Sequence, residues 1–297
     1  KLIAHYTTEN SKLNCNIIMC ITIADGLIWL GTDGGGINIL NPQTGEISIL
    51  EQISGDTHSL PVNTILCLHK DSQNNDMWAG SNRGGLINIR KVSMKTYMGV
   101  ILGYNKGLSE STVLCLYEDS LLNKIWIGTD GGGINVFNKG RRIAIYNADN
   151  KKFRSNTVQA ALCDSKGGLW FGLFYGGIAY YNPKSQSFRQ IFSEDKSRTD
   201  VRSFHEDKQG NIWVGTSEGV YLIDCDSKTI KAHYNLENNL ARCVLKDSED
   251  QVWVGFFGGG LGLYDPQLQS IQLFNVLAKF PSNTINALYE DSRKRLW

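Results

Sequence analysis

Seven tryptophans recur at near-equal intervals along the 297 residues, and this spacing constrains the fold more than any other feature. They are Trp29, Trp78, Trp126, Trp170, Trp213, Trp253 and Trp297, with a mean separation of about 45 residues, which marks a repeat architecture. Each stands in the same local sentence. It reads IWLGTDGGGINIL from Ile28, MWAGSNRGGLINI from Met77 and IWIGTDGGGINVF from Ile125. Later copies read LWFGLFYGGIAYY from Leu169, IWVGTSEGVYLI from Ile212 and VWVGFFGGGLGLY from Val252, and Trp297 ends the chain in Arg-Leu-Trp.

Each repeat predicts four short strands. A segment alternating in polarity, such as residues 63–71, is strand A; a tight polar turn follows, then Trp-x-Gly as strand B. The glycine-rich turn tolerates the positive φ that a short hairpin needs. Strand C is of the Ile-Asn-Ile-Leu type, and strand D is aromatic-rich, as in residues 229–234. No stretch carries a helical period with caps, so the expected fold is an all-β, seven-bladed β-propeller, a single domain over residues 1–297. The expected blades are 8–56, 57–105, 106–149, 150–193, 194–234 and 235–276, with the seventh formed by 277–297 plus 1–7. The N-terminal contribution rests on an alignment of Ala4-His5-Tyr6 with Ala232-His233-Tyr234. Strand C of that blade lies outside the chain, so this is read as a piece of a longer protein.

Composition removes several function classes. Thirty Lys and Arg against 29 Asp and Glu leave a formal charge of +1, which argues against a nucleic-acid or anionic-membrane partner. No apolar run approaches the ~18 residues of a membrane span, so direct membrane insertion by this segment is not expected. Aligned on the turn Asp, one strand-A slot holds Cys20, Cys67, Cys115, Ala160, Ser203, Cys243 and Ala287, which makes four of the seven cysteines small packing residues. The other cysteines form no CxxC pair, the histidines fall mostly in shared slots, and neither HExxH nor GxSxG occurs. Gly31-Thr-Asp-Gly-Gly-Gly36 precedes a strand rather than a helix N-terminus, so it is not a nucleotide loop. No metal, cofactor or catalytic residue is expected.

A binding site is expected where the repeat breaks its own pattern, because the scaffold needs only the shared residues. Two rows break it, both in the fourth to sixth units. In the turn between strands B and C, Thr32-Asp33-Gly34, Ser81-Asn82-Arg83 and Thr129-Asp130-Gly131 give way to Leu173-Phe174-Tyr175, Thr216-Ser217-Glu218 and Phe256-Phe257-Gly258. Leu173, Phe174, Tyr175, Phe256 and Phe257 are therefore predicted to be exposed. Such aromatics suit stacking on sugar rings or packing on another domain; the alternative is that they seal the spaces between blades. In strand A, five residues before the turn Asp, the row reads Met19, Leu66, Leu114, then Gln159, Arg202, Arg242, Asn286. Arginine forks suit carboxylate or sulfate, and the alternative is pairing with nearby carboxylates. The candidate ligand-binding residues are Gln159, Arg202, Arg242, Asn286, Phe174, Tyr175, Glu218, Phe256 and Phe257.

The consensus [Asn/Ser]-x-[Val/Ile]-x-x-Leu-x-x-Asp-Ser-x-x-x-[Ile/Leu]-Trp-[Ile/Val]-Gly-Thr-x-x-Gly-Gly-[Ile/Leu] resembles the two-component regulator propeller repeat along the whole chain. That repeat is known from the extracytoplasmic sensor regions of hybrid two-component histidine kinases in Bacteroides-type bacteria. The resemblance implies a periplasmic segment of an inner-membrane protein, with an immunoglobulin-like domain, a membrane helix and cytoplasmic kinase, receiver and DNA-binding modules beyond it. It implies a sensor of glycan-derived oligosaccharides and carries over no catalytic residue. Three readings stay open: a sensor that binds an oligosaccharide or other small ligand; a non-catalytic scaffold packing on its own ectodomain, on a partner or as a homodimer; and a propeller polysaccharide hydrolase or lyase. The last needs two facing carboxylates, and Asp33, Asp130, Asp200 and Glu218 come from units one, three, four-to-five and five without evident pairing.

Overall fold

Alternating segments separated by polar dipeptides pair locally into antiparallel hairpins, because a hairpin partner satisfies the backbone N–H and C=O groups at the least loop cost. A computed structural model shows this outcome six times, and it describes residues 3–56, 58–72, 75–90, 93–97, 107–119, 124–139, 141–150, 153–192, 199–235, 240–275 and 281–297. The first sheet comprises β1 (Ile18–Ala24), β2 (Leu27–Thr32), β3 (Ile37–Leu40) and β4 (Ile47–Leu50). The second holds β5 (Ile65–Lys70), β6 (Met77–Ser81), β7 (Leu86–Arg90) and β8 (Ser93–Tyr97). The third holds β9 (Val113–Asp119), β10 (Lys124–Thr129), β11 (Ile134–Asn138) and β12 (Arg141–Tyr146). The fourth is β13 (Val158–Cys163), β14 (Leu169–Leu173), β15 (Gly177–Asn182) and β16 (Ser187–Gln190). The fifth is β17 (Val201–Glu206), β18 (Asn211–Thr216), β19 (Gly219–Asp224) and β20 (Ile230–Tyr234). The sixth is β21 (Leu240–Lys246), β22 (Val252–Phe257), β23 (Gly260–Asp265) and β24 (Ser270–Phe274). Every sheet pairs its strands in chain order, the arrangement of a propeller blade. The chain is thus an all-β propeller of four-stranded blades.

The number of blades differs from the expected seven. Six are complete among the described residues, and the seventh repeat forms only the start of a hairpin. There Tyr289 and Trp297 exchange backbone hydrogen bonds of 2.9 and 2.7 Å, and Glu290 bridges Leu296. No strand C follows within the chain, and residues 3–7, expected to complete the blade, form no strand. The expected blade limits at 57, 105, 106, 193, 194, 276 and 277, like residues 1 and 2, lie outside the described residues.

The chain divides into two compact units. One holds Lys1–Ile127 and Asn135–Ala144, the first two sheets and most of the third; the other holds Gly128–Ile134 and Ile145–Trp297. In each unit the core lies between successive sheets. In the first, Ile37, Leu60, Ile65, Met77 and Ile87 fill one gap, and Trp78, Leu86, Leu108, Val113, Ile127 and Phe137 fill the next. In the second, Trp170, Ile178, Val201, Ile212, Val214 and Tyr221 pack together, and Trp213, Val220, Val244, Val254, Phe256 and Ile271 form the following layer. Each fully buried large side chain contributes about 1.5–3 kcal/mol.

Strand A is the inner strand: β1 adjoins β5 and β5 adjoins β9, as β13 adjoins β17 and β17 adjoins β21. The small-residue slot has a direct cause. Cys20, Cys67, Ala160, Ser203 and Cys243 each stand opposite the glycine of Trp-x-Gly: Gly31, Gly80, Gly172, Gly215 and Gly255. The next strand A presses on that glycine, with Ile65 on Gly31, Val113 on Gly80, Val201 on Gly172 and Ile285 on Gly255. Burial pushes the thiols of Cys20 and Cys243 up to about 12, so both are neutral packing groups.

Candidate functional site

Two sets of repeated bonds tie neighbouring sheets within each unit, and they explain most of the consensus. At the A–B turn the aspartate accepts a hydrogen bond from the indole Nε1, as in Asp164–Trp170 at 2.9 Å, Asp207–Trp213 at 3.1 Å, Asp247–Trp253 at 2.8 Å and Asp291–Trp297 at 3.0 Å. Ala24 replaces this aspartate in the first sheet, and Trp29 Nε1 there is buried without a partner. The serine after the aspartate donates its N–H and hydroxyl to a glutamate of the next strand A: Ser72 to Glu118, Ser165 to Glu206 and Ser248 to Glu290, all at 2.6–3.0 Å.

At the other end, the glycine entering strand C donates its N–H to the start of the next strand A. Gly36 reaches Asn63 O at 2.7 Å, Gly133 reaches Asn156 O at 2.7 Å and Gly260 reaches Asn283 O at 2.8 Å. These three glycines have φ of 73°, 77° and 81°, and a Cβ there would run into the strand-D carbonyl of Leu50, Tyr146 or Phe274. The B–C turns and the strand-A starts are therefore stitched into one surface within each unit. Asp33 and Asp130 are part of that stitching. Each carboxylate accepts the hydroxyl of the next threonine, Thr64 at 3.1 Å and Thr157 at 3.0 Å.

In the second unit this end departs from the repeat. The polar strand-A row proves to be a row of β-bulges: the ladder skips Gln159 between Val158 and Ala160, Arg202 between Val201 and Ser203, and Arg242 between Ala241 and Cys243. Met19 and Leu66 are skipped in the same way in the first unit. A bulged residue is freed from the ladder and its side chain is re-aimed. Asp200, only 3 % exposed, accepts Arg202 Nη2 at 2.5 Å and a second bond from Gln159 Nε2. Arg202 is thus paired within the protein, as one of the two sequence readings anticipates.

Arg242 is placed differently. Its guanidinium carbon lies 5.1 Å from the centroid of the Phe257 ring, and it makes no hydrogen bond or ion pair among the described residues. The Nε atoms of both Arg202 and Arg242 are buried without a partner. Burial, and after it the charge of Arg202, pull the Arg242 guanidinium below its ordinary value, while Asp200 acts in the opposite sense. Arg202, Arg242 and Asp200 together leave one positive charge in excess.

The aromatic residues split. Phe174, Tyr175 and Phe257 are exposed at 39, 60 and 53 %, and the first two meet edge to face with ring centroids 4.4 Å apart. Leu173 and Phe256, predicted to be exposed, are both 0 % exposed. Leu173 is the last residue of β14 and Phe256 the penultimate residue of β22, and Phe256 packs in the core rather than standing exposed. Glu218 accepts Thr199 Oγ1 at 3.1 Å and Tyr221 Oη at 2.8 Å, which uses both carboxylate oxygens to hold the turn. Asn286 is half-buried and follows Ile285, whose N–H donates to Phe256 O at 2.9 Å, so it borders the Phe257 turn. Among the described residues no three His, Cys, Asp or Glu side chains gather as a metal site. Asp200 and Glu218 both accept hydrogen bonds from neighbouring side chains. Asp200 is the member of this cluster that the candidate set omits; its position two residues before Arg202 on an extended chain is the signal that places it.

A cleft of about 390 Å³ lies in the same unit beside Lys166, Tyr180, Arg189 and Lys228. Its buried cation is already engaged: Lys228 Nζ stands 3.5 Å from Asp164 and over the Tyr180 ring at 4.1 Å. No helix among the described residues is long and apolar enough to cross a membrane.

Comparison with known proteins bears on this geometry. The family described as "Two component regulator propeller" matches residues 196–218, the stretch holding β17, β18 and the first part of the Trp213 sentence. Histidine kinase P4 of Formosa agariphila is 28 % identical in an alignment 174 residues long that covers 51 % of this chain and 12 % of the kinase. The extracellular domain of a B. thetaiotaomicron protein, described as a hybrid two component system, is 28 % identical with a TM-score of 0.53. The match covers 99 % of this chain and 50 % of that domain. A second extracellular domain so described, from the same organism, is 18 % identical with a TM-score of 0.77 over 94 % of this chain and 38 % of its own length, a likeness of fold. The chain thus spans half or less of these relatives, and the kinase module is absent from it. The two-component regulator propeller repeat is thus found at residues 196–218, and the turn, tryptophan and glycine pattern of that stretch recurs along the chain.

Proposed function

We propose that this propeller is a ligand-sensing part of an extracytoplasmic sensor region of a hybrid two-component histidine kinase, and that its ligands are glycan-derived oligosaccharides. The observation that carries the reading is the departure of the second unit from its own repeat. At one end of that unit a desolvated arginine and three exposed aromatic rings replace the aliphatic and small polar residues of the other copies. The sensor context is supported by the extracellular domains and the kinase to which the chain is similar. Aromatic faces and forked cations are the groups with which a protein holds sugar rings and their charged substituents.

A thermal-shift screen of the purified chain against oligosaccharides from plant and animal polysaccharides tests this. A saturable rise in melting temperature that is lost in Phe257→Ala is expected. A chain that no oligosaccharide stabilises sinks the reading. The edge-to-face pair Phe174–Tyr175 favours a second reading, a scaffold that packs on the rest of its own ectodomain. In that case Tyr175→Ala weakens assembly of the longer ectodomain and leaves saccharide binding unchanged.

A further inference from the structure

Two arginines stand on bulges of neighbouring inner strands, β17 and β21, and a single buried carboxylate serves them. Asp200 is taken by Arg202 and Gln159. Glu218 is taken by Thr199 and Tyr221. Arg242 is left half-buried beside a like charge, with Nε sealed from acceptors and its guanidinium lying over Phe257. Stacking on that ring does not account for the placement, since Phe257 is itself more than half exposed and covers little. A cation held out of water beside another cation is destabilising until an anion joins it.

We infer that Arg242 is the seat of one anionic group, a carboxylate or a sulfate, on a ligand whose body lies against the exposed face of Phe257. The inference rests on the ligand-sensing reading above and narrows it to acidic ligands. Arg242 presents a planar fork that matches two oxygens of such a group, and lysine cannot reproduce that geometry. Arg202, held by Asp200, adds charge without needing to move. In the first unit the same bulge positions hold Met19 and Leu66, so the charge is specific to these blades and is no requirement of the fold.

Calorimetric titration of the chain with four probes tests the seat: sodium sulfate, methyl glucuronide, glucose 6-sulfate and methyl glucoside. The charged probes should bind, and Arg242→Gln should weaken them about tenfold or more, with Arg242→Lys between the two. Phe257→Leu should weaken the two charged sugars and spare sulfate, a split that a general folding defect would not produce. Charged probes that bind Arg242→Gln as well as they bind the parent overturn the inference, as does a methyl glucoside that binds as tightly as its glucuronide. Sulfate binding that depends on Arg242 while no sugar binds keeps the anion seat and removes the oligosaccharide reading. A methyl glucoside that binds the parent and Arg242→Gln alike, with no preference for charge, removes the seat and keeps that reading.

Discussion

The A–B turn aspartates look equivalent in the sequence, yet the structure makes one of them far more costly to lose. The Asp164 carboxylate is fully buried and accepts Trp170 Nε1 at 2.9 Å, Gly168 N at 2.7 Å and Lys166 N at 3.0 Å. It also faces Lys228 Nζ, which reaches across from the fifth sheet to 3.5 Å and is itself only 10 % exposed. Asp247 in the sixth sheet accepts the matching bonds, Trp253 Nε1 at 2.8 Å and Gln251 N at 2.8 Å, without a lysine. Asp247→Ala loses these bonds in a more open turn and should cost about 1–2 kcal/mol. Asp164→Ala also strands a buried ammonium and should cost about 3–5 kcal/mol. Lys228→Met in the Asp164→Ala background removes the stranded charge and should recover about 1–3 kcal/mol, and the same change in the Asp247→Ala background should recover nothing. Urea unfolding at pH 7, followed by tryptophan fluorescence, measures all five chains. Equal costs for the two aspartates, or no recovery with Lys228→Met, would refute the reasoning.

Two further outcomes follow from the same packing. Asp164 and Asp291 both titrate below the ordinary carboxylate value, Asp291 at about 2; burial opposes this, and bonds from tryptophan, backbone N–H and a nearby cation outweigh it. A carboxylate depressed in the folded state stabilises above its unfolded value of about 4 and loses that contribution as pH falls through the folded one, so the urea midpoint should drop steeply from about pH 4 towards 2, and a flat profile there contradicts it. Gly255→Ala places a Cβ 2.5 Å from Cys243 Sγ and 2.7 Å from Ile285 Cγ2, and should cost about 1–3 kcal/mol by the same unfolding assay, part of which Cys243→Ala restores; a neutral Gly255→Ala would mean that the inner strands have room to spare.

Periodicity was legible where a residue type is forced by its neighbours. Tryptophan marks each strand B because its ring fills the space to the next sheet, and the Gly of Trp-x-Gly recurs because another inner strand rests on it. Inner-strand polarity was legible as a row, but the bulge beneath it was not. A bulge is a mismatch between two strands, and neither strand shows it alone. The B–C turn aromatics show a different failure. Phe256 and Phe257 look alike as neighbours in a turn, yet β22 runs two residues further than expected, and period-two alternation then buries the first and exposes the second. The seventh repeat was legible from its tryptophan, and among the described residues it is present as the hairpin start between Tyr289 and Trp297.

The bulge has an evolutionary consequence. In five of the sheets one inner-strand residue stands outside the ladder, so exchanging it leaves every rung of backbone hydrogen bonding intact. Methionine, leucine, glutamine and arginine occupy it on the same backbone. Such a position is a socket: a copied blade acquires new chemistry by a single codon change, with no repair needed elsewhere. A duplicated repeat can in this way keep its fold while its copies diverge into a surface that tells one molecule from another.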